Sequence, residues 1–269
     1  MKTLKLVERG KVKQHQEKSE LFGYWISHNG IQGDVAQACQ FVTSGRNVRY
    51  MACANPHSLV VANNDIAFSQ ALKEADLLLP DGAGILLAAR ALKLPIVERV
   101  AGSEFFHDLT AQLSGNGGAR YFFLGSSDHV LNLIQLRMKK ESPKITVCGV
   151  LSPPFKPEFS KSESAAMIAV VNAARPDVLW VGMTAPKQEK WIYENRAKLE
   201  VPFVGAIGAV FDFYAGTKQR SSIFWRRIGM EWFPRFLREP KRLWERNIKS
   251  TPIFIWWVVR EKVRRMLKR

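Results

Sequence analysis

Continuous apolar runs alternate with helical patterns over most of the chain. Runs rich in Val, Ile, Leu and aromatic residues predict six strands, at 48–55, 76–80, 120–125, 144–150, 177–183 and 201–208. Apolar positions at helical spacing follow five of these runs and predict helices at 58–75, 83–92, 128–141, 161–174 and 186–198. Strands that are apolar throughout, each followed by a helix, are typical of a parallel sheet covered on both faces.

The pattern restarts after a loop rich in Gly and Asn at 114–119. This restart predicts two β-α-β halves, and therefore one α/β domain with a Rossmann-like, doubly wound parallel sheet. We place that domain at 21–216, after an N-terminal extension (1–20) and before a basic, Trp-rich helical appendage (217–269). Ligands of such sheets bind beyond the carboxyl ends of the strands.

Polar residues and glycines stand at those predicted strand ends. We take as candidate ligand-binding residues Asn55, Asp81, Gly125, Gly182, Lys187 and Gln188. Helix starts at Ser127 and Pro186 add free N–H groups that suit a diphosphate. Each feature alone is also explained by a turn or a helix cap. Their convergence on one edge of the sheet favours a ligand site.

Asp81 has two interpretations. It either caps the helix that begins near Ala83 or directs a carboxylate into the ligand crevice, where it could act as a general base. Gly82 and Gly84 would let a substrate approach the backbone. The sequence contains no Asp-x-Asp motif that could hold a divalent ion against a diphosphate. We therefore expect no metal, and phosphate binding by cationic side chains and helix ends.

The net charge of +16 is unusual for a chain of otherwise ordinary globular composition, and it indicates a polyanionic partner. From 218 to 269 there are sixteen Lys and Arg against four Glu, together with five of the eight Trp. Basic residues interleaved with Trp suit an anionic membrane surface, and they also suit single-stranded nucleic acid. A solvated helical face is the third interpretation. The most apolar short run, 252–259, is too short to span a membrane.

The remaining sequence features indicate a cytoplasmic protein. The three cysteines have neither a disulfide pattern nor metal-ligand spacing, which suits a reducing compartment. The first twenty residues lack the apolar core of a secretory signal. We expect Glu189 to face a neighbouring helix or a lysine. We assign Phe211, Phe213 and Tyr214 to the core rather than to a sugar-binding platform.

Five segments, in this order, resemble the WecG/TagA/CpsF glycosyltransferases (family 26). They contain the blocks "PDG", "RVAG", "APKQE", "GAIGAVFDFYAG" and "EWFPRFLREPKR", and the resemblance covers roughly 20–250. It implies transfer of a sugar from a nucleotide donor, usually UDP-linked, to a saccharide on a polyprenyl-diphosphate carrier. It also implies that this occurs at the cytoplasmic face of the membrane, with inversion and without an essential metal ion or other cofactor.

The resemblance also implies roles for single residues. Asp81, in the "PDG" block, would be the catalytic base that takes the proton from the acceptor hydroxyl. Asn55 would position substrate, Arg99 would hold acceptor or phosphate charge, and Gln188 would line the donor pocket. Cys53 stands where the family often has Thr, and because a thiol is a weak donor we leave it out of the catalytic set.

Two further arginines come from the last block of the resemblance. Arg235 and Arg242 would belong to the appendage, which would dock on the membrane and close over the leaving diphosphate. A tail rich in Trp and positive charge fits an enzyme whose acceptor is dissolved in a bilayer.

We therefore predict an inverting glycosyltransferase of bacterial (exo)polysaccharide biosynthesis, peripheral at the inner face of the cell membrane. The loop at 152–159 favours glucosyl transfer; the alternative is transfer of N-acetylmannosamine or its uronic acid in teichoic acid or surface-antigen synthesis. A nucleic-acid-binding protein is the hypothesis from a different class, and the absence of any nucleic-acid motif disfavours it. The absence of G-x-G-x-x-G disfavours a dinucleotide enzyme. Homo-oligomerisation stays open, since a partner subunit could cover apolar surface near the tail.

Overall fold

A computed structural model describes residues 17–45, 47–219 and 249–267. An antiparallel hairpin comes first, formed by β1 (Lys18–Leu21) and β2 (Tyr24–Ser27). Six strands then form the central sheet: β3 (Arg49–Ala54), β4 (Leu77–Pro80), β5 (Ala119–Gly125), β6 (Ile145–Leu151), β7 (Val178–Gly182) and β8 (Phe203–Ala206). They lie in the order β4-β3-β8-β7-β5-β6, and every neighbouring pair is parallel. The predicted Rossmann-like α/β fold class is confirmed.

Helices connect and cover these strands. In the described part of the chain they are α1 (Gly30–Ser44), α2 (Pro56–Asn64), α3 (Ile66–Lys73), α4 (Ala83–Leu92), α5 (Gly102–Gly115), α6 (Asp128–Glu141), α7 (Lys161–Ala174), α8 (Lys187–Asn195), α9 (Val210–Ala215) and α10 (Ser250–Leu267). One turn of 3-10 helix, Arg196–Lys198, follows α8. None of these helices has both the length and the hydropathy that a membrane span requires.

Two apolar clusters lie on the two faces of the sheet, which explains why the strands read as continuous apolar runs. In β7, four successive residues from Val178 to Val181 are fully buried. Trp180 packs edge to face on Phe106 of α5, with 5.1 Å between ring centroids. Burial of side chains of this size stabilises the fold by roughly 1.5–3 kcal/mol each.

The single helix predicted at 58–75 is wrong, because the segment forms two helices. Asp65 lies between them in an extended conformation, and its carboxylate accepts a hydrogen bond from Phe68 N–H, 2.9 Å away. Asp at this position is a strong helix N-cap, so it starts α3 instead of continuing α2. The helical spacing of apolar residues continues across Asp65, so the sequence signal for the boundary between the two helices is the capping residue itself.

The last helix, α10, packs against α2 and α4. Phe254 is 4% exposed and belongs to one of the two core clusters. Ser250 Oγ and His57 Nδ1 are hydrogen-bonded at 2.8 Å, and Arg265 donates to the carbonyl of Leu92 at 3.1 Å. This part of the predicted appendage therefore shares the core of the sheet domain. Arg235 and Arg242 lie outside the described residues, and the domain boundaries stay predictions.

Candidate functional site

The carboxyl ends of all six central strands meet at one large cavity of about 1210 Å³. Each strand contributes a residue at or just beyond its end, namely Asn55 (β3), Asp81 (β4), Ser126 (β5), Ser152 (β6), Gly182 (β7) and Gly208 (β8). This is the edge at which ligands of parallel α/β sheets bind. The sheet therefore brings together residues that are up to 153 positions apart in the sequence.

Most of the predicted site residues that the structure describes line this cavity: Asn55, Asp81, Gly182, Lys187 and Gln188. Gly125 and Arg99 are not among the lining residues. Gly125 lies beside Gly182 in the sheet register, with φ +118°. A Cβ on Gly125 would lie 2.6 Å from the Gly182 carbonyl oxygen, so this glycine permits the approach of two strands.

Arg99 lies next to the end of β4 rather than in the cavity wall. The neighbouring Val100 N–H donates to the Pro80 carbonyl at 2.9 Å, directly before Asp81. The Arg99 guanidinium forms an ion pair with Glu104 of α5 at 3.1 Å. Its contact with acceptor or phosphate stays a prediction.

Asn55 is held in place by the start of α2. Its Oδ1 accepts a hydrogen bond from Ser58 N–H (2.9 Å), while Asn55 N–H donates to Ser58 Oγ (2.8 Å). This reciprocal arrangement is a capping box, and Pro56 at the first helical position strengthens it. Because the cap uses only the carbonyl side of the carboxamide, the NH₂ group of Asn55 is left for the cavity.

Asp81 is anchored by its backbone N–H, which donates to the Ala54 carbonyl at 2.8 Å. The N-cap position of α4 belongs to Gly82, with φ +102°, so Asp81 does not occupy the cap position. The bare Cα of Gly84 faces Pro56, where a Cβ would overlap the proline ring. Gly84 thus allows close packing of α2 and α4, and the expectation that it admits substrate is not supported.

The pKa of the Cys53 thiol is affected by two nearby carboxyl groups, those of Asp81 and Glu189. Burial, and then the charges of these two carboxylates, raise the pKa of the Cys53 thiol well above its usual value. The backbone N–H of Gly102 is hydrogen-bonded to the thiol. A thiol whose pKa is raised stays neutral and is a poor nucleophile, which agrees with leaving Cys53 out of the catalytic set.

Gln188 and Glu189 begin α8 and are both buried. Met183 N–H donates to Gln188 Oε1 at 3.2 Å, and Gln188 Nε2 donates to Glu189 Oε1 at 2.8 Å. Glu189 is only 3% exposed, and burial raises the pKa of its carboxyl to about 7. The sequence predicts that Glu189 faces a neighbouring helix or a lysine; in the described part of the chain no lysine pairs with it, since the adjacent Lys190 pairs with Asp65.

Lys187 sits at the cavity rim with its ammonium over aromatic rings. Its Nζ lies 4.8 Å from the centroid of Phe159 and 5.8 Å from that of Phe155, and it donates to the Lys156 carbonyl at 2.8 Å. Burial lowers the pKa of Lys187. Phe155 itself is fully exposed at the rim. This positive charge beside an open aromatic ring suits an anionic, aromatic-bearing ligand.

The segment around α9 supplies another part of the wall. Asp212 accepts from Lys218 Nζ at 2.9 Å. Phe211 and Tyr214 are buried in the core, as expected, whereas Phe213 lines the cavity. The prediction for this aromatic stripe therefore holds for two of its three members.

Helix N-termini also face this edge of the sheet. Ser127 caps α6 by accepting from Val130 N–H at 3.4 Å, which confirms the capping interpretation for that serine. The first turns of α2, α6 and α8 each contribute residues to the cavity wall. Free N–H groups and the positive end of the helix dipole attract diphosphate oxygens at such positions. Within residues 17–45, 47–219 and 249–267, no group of three His, Cys, Asp or Glu could hold a metal ion.

A family model described as "Glycosyl transferase WecG/TagA/CpsF family" matches residues 19–268. The chain belongs to this family. Curated relatives include the N-acetylglucosaminyldiphosphoundecaprenol N-acetyl-β-D-mannosaminyltransferases of Staphylococcus aureus strains MW2 and NCTC 8325. Each is 26% identical to this chain over 222 residues, which cover 82% of this chain and 84% of the relative.

Membership of the WecG/TagA/CpsF family makes the protein a glycosyltransferase, which confirms the predicted enzyme class. The relatives are named for N-acetylmannosaminyl transfer. They therefore favour the alternative donor prediction over the glucosyl transfer that the loop at 152–159 predicts. That loop contributes Ser152, Pro153, Pro154 and Phe155 to the cavity wall.

Proposed function

We propose that this glycosyltransferase moves an N-acetylmannosaminyl group from a UDP-linked donor to N-acetylglucosamine on a polyprenyl diphosphate. The names of the staphylococcal relatives support this transferred group and this acceptor, and the UDP-linked donor is what the family resemblance implies. The observation that carries the proposal is the position of Asp81, which lines a cavity of about 1210 Å³ at the carboxyl edge of the sheet.

In the proposed mechanism, Asp81 removes the proton from the acceptor hydroxyl. That oxygen attacks the anomeric carbon of the donor sugar from the face opposite the diphosphate. The new C–O bond forms as the bond to the β-phosphate oxygen breaks, so UDP leaves and the anomeric configuration inverts. The proton stays on Asp81 until it passes to solvent. Base catalysis of this kind contributes typically 10²–10⁴-fold to a rate.

The leaving UDP gains negative charge that the site must stabilise. We assign this role to the N-termini of α2, α6 and α8 and to the ammonium group of Lys187, since preorganised donors are most effective where charge develops. The NH₂ groups of Asn55 and Gln188 would orient the sugar. Arg235 and Arg242, implied by the family resemblance, would add positive charge from outside the described residues.

We further propose that α10 docks on an anionic membrane surface at the inner face of the cell membrane. Its outward face carries a stripe of half-exposed or exposed apolar residues: Ile255, Trp256, Val259, Val263 and Met266. Arg260 stacks on Trp256, with 4.7 Å from its guanidinium carbon to the ring centroid. Apolar and basic residues on one helix face suit the headgroup boundary of an anionic bilayer.

The docking surface is tested by substitution rather than by deletion, because removal of α10 would also expose the core around Phe254. The variant Trp256→Ser/Val259→Ser should lose cosedimentation with vesicles that contain phosphatidylglycerol. A matched control is Leu136→Ser, which changes an exposed leucine on α6. Equal vesicle binding by the double variant and the wild type would contradict the proposal. Loss of binding in Leu136→Ser would show that the effect is not specific to α10.

The function is tested with a donor panel. We would measure UDP release from UDP-N-acetylmannosamine, UDP-N-acetylmannosaminuronate and UDP-glucose, with and without a polyprenyl-diphosphate-N-acetylglucosamine acceptor in anionic vesicles. The proposal predicts release from UDP-N-acetylmannosamine that depends on the acceptor. Release only from UDP-glucose would reinstate the glucosyl-transfer hypothesis. No release from any donor would overturn the proposed reaction.

A further inference from the structure

The carboxamide of Gln188 is held by two hydrogen bonds of opposite sense. Its oxygen accepts from Met183 N–H at 3.2 Å, and its nitrogen donates one proton to Glu189 Oε1 at 2.8 Å. A carboxamide has two donors and one acceptor group, so these bonds define its orientation and leave one N–H unused. Gly208 lies beside this amide: a Cβ built on it would be 3.4 Å from both the nitrogen and the oxygen, and its φ of +48° favours glycine.

Glu189 is in an unusual position for a carboxyl group. It is 3% exposed, and among the described residues no cation lies within ion-pair distance of it. The adjacent Lys190 pairs instead with Asp65, at 3.2 Å. Glu189 Oε2 is buried and has no hydrogen-bond partner in the described part of the chain. A charge buried without a counter-ion is costly, so this environment favours the uncharged acid.

The electrostatics of the site agree with this conclusion. Burial is the main cause of the raised pKa of Glu189, and the hydrogen bond from Gln188 only partly opposes it. Asp81 shares the cavity and is the carboxylate proposed as the base. Two carboxyl groups in one site commonly divide their roles when their environments favour different protonation states. In this site one would accept a proton and the other would orient a neighbouring side chain.

We propose that Glu189, in its uncharged form, is a positioning residue that fixes the carboxamide of Gln188 so that its remaining N–H is directed to the sugar donor. Without the Glu189 acceptor, the carboxamide could rotate and present its oxygen to the donor instead. This inference rests on the proposed function, because it assigns the Gln188 N–H to the donor of that reaction. Glu189 is not itself proposed to contact substrate, since its free oxygen is buried.

The test compares Glu189→Gln with Glu189→Met. Glutamine is uncharged and can accept from Gln188 through its own Oε1, so we expect kcat/KM within about threefold of wild type. Methionine removes the acceptor, and we expect about a tenfold fall in kcat/KM for the donor, carried by KM, with the acceptor KM unchanged. Glu194→Gln and Glu194→Met, at an exposed position of the same helix, are the matched controls.

A double-mutant cycle separates positioning from a general structural effect. If Glu189 acts through Gln188, the variant Gln188→Met/Glu189→Met should be no less active than Gln188→Met alone. Multiplicative losses in the double variant would overturn the inference. Equal losses in Glu189→Gln and Glu189→Met would show instead that the negative charge is required, which also overturns it.

A measurement on the unsubstituted enzyme covers the case in which a Glu189 variant does not fold. In protein labelled with ¹⁵N-glutamine, the two Nε2 protons of Gln188 are assigned by their loss in Gln188→Met. We expect the signal of the proton bonded to Glu189 to exchange slowly with solvent in the enzyme as isolated. Rapid exchange of both protons would contradict a fixed carboxamide. If the wild-type enzyme uses no nucleotide sugar, the proposed function fails, while this spectrum still decides whether the carboxamide is fixed.

Discussion

Asn55 and Ser58 cap one another at the start of α2, with hydrogen bonds of 2.9 Å and 2.8 Å that run in opposite directions. The arrangement gives Asn55 two separable roles. Its carbonyl oxygen stabilises the helix, while its NH₂ group takes no part in the cap and the residue lines a cavity that six strand ends share. Substitutions that keep one role and remove the other can therefore separate stability from activity.

Asn55→Asp should keep the helix cap and lose activity. Asp caps helices as well as Asn does, so we expect the free energy of unfolding to change by less than about 0.5 kcal/mol. The variant replaces a donor with a negative charge near the diphosphate, and we expect kcat/KM to fall at least tenfold. Asn55→Ala, by contrast, should also cost about 1 kcal/mol of stability. Urea unfolding and UDP release measure the two effects, and full activity of Asn55→Asp would exclude a role for the NH₂ group.

Asp34 should make the protein less stable as pH rises. It is fully buried, accepts a hydrogen bond from Ser27 Oγ, and burial raises the pKa of its carboxyl from 3.8 to about 7. Because the folded pKa exceeds the unfolded one, the stabilisation is complete below about pH 4 and is lost as pH rises towards 7. The loss is at most about 4 kcal/mol, at 1.36 kcal/mol per pKa unit.

The measurement for Asp34 is urea unfolding at pH 5 and pH 8. The wild type should be more stable at pH 5, and Asp34→Asn should reduce that difference because an amide does not titrate in this range. Glu189, whose pKa is also raised to about 7, contributes in the same direction. An unchanged pH dependence in Asp34→Asn would show that Asp34 does not cause it.

Asp76 should be important for stability and unimportant for catalysis. Its carboxylate is largely buried and bonds Arg49 at 2.7 Å, Arg196 at 2.9 Å and Tyr50 N–H at 3.0 Å. It precedes β4, at the end of the sheet opposite the cavity. Asp76→Ala leaves both arginines without their shared partner, and we expect a loss of ~3 kcal/mol. Activity per folded molecule should be unchanged, and a fall in kcat at low temperature would refute this separation.

The hydrophobic pattern is sufficient to predict the sheet because each central strand is buried on both faces. β7, for example, is apolar from Val178 to Val181 and lies between the two core clusters. The same pattern does not reveal the β1–β2 hairpin, α1 or α5. These elements are stabilised by side-chain packing against other parts of the fold, and the local sequence pattern does not show that packing.

The sequence also predicts some residues of the candidate site and does not predict others. Asn55 and Asp81 are predictable because a residue at the carboxyl end of a parallel strand must lie at the ligand edge. The burial of Glu189 without a counter-ion is not predicted, because Lys187 and Lys190 flank it in the sequence. A signal was nevertheless present, since Glu189 lies three residues before the buried Ile192 and therefore on the inner face of α8. The depth of its burial depends on the sheet and could not be known from the sequence.

The C-terminal segment shows how one pattern can serve two purposes. The apolar run at 252–259 contributes Phe254 to the core, and it contributes Trp256 and Val259 to the outward face. Sequence periodicity identifies both faces of α10 but does not show which one is covered by α2 and α4.

The central claim, that Asp81 is the base of a sugar transfer, is tested most directly by UDP release in Asp81→Asn. The assay uses UDP-N-acetylmannosamine and a polyprenyl-diphosphate-N-acetylglucosamine acceptor, with UDP binding by calorimetry as the control for an intact site. We predict a loss of ~10²-fold or more in kcat with UDP affinity retained. Turnover within a few-fold of wild type would contradict the assignment and would leave Asp81 a structural residue before α4.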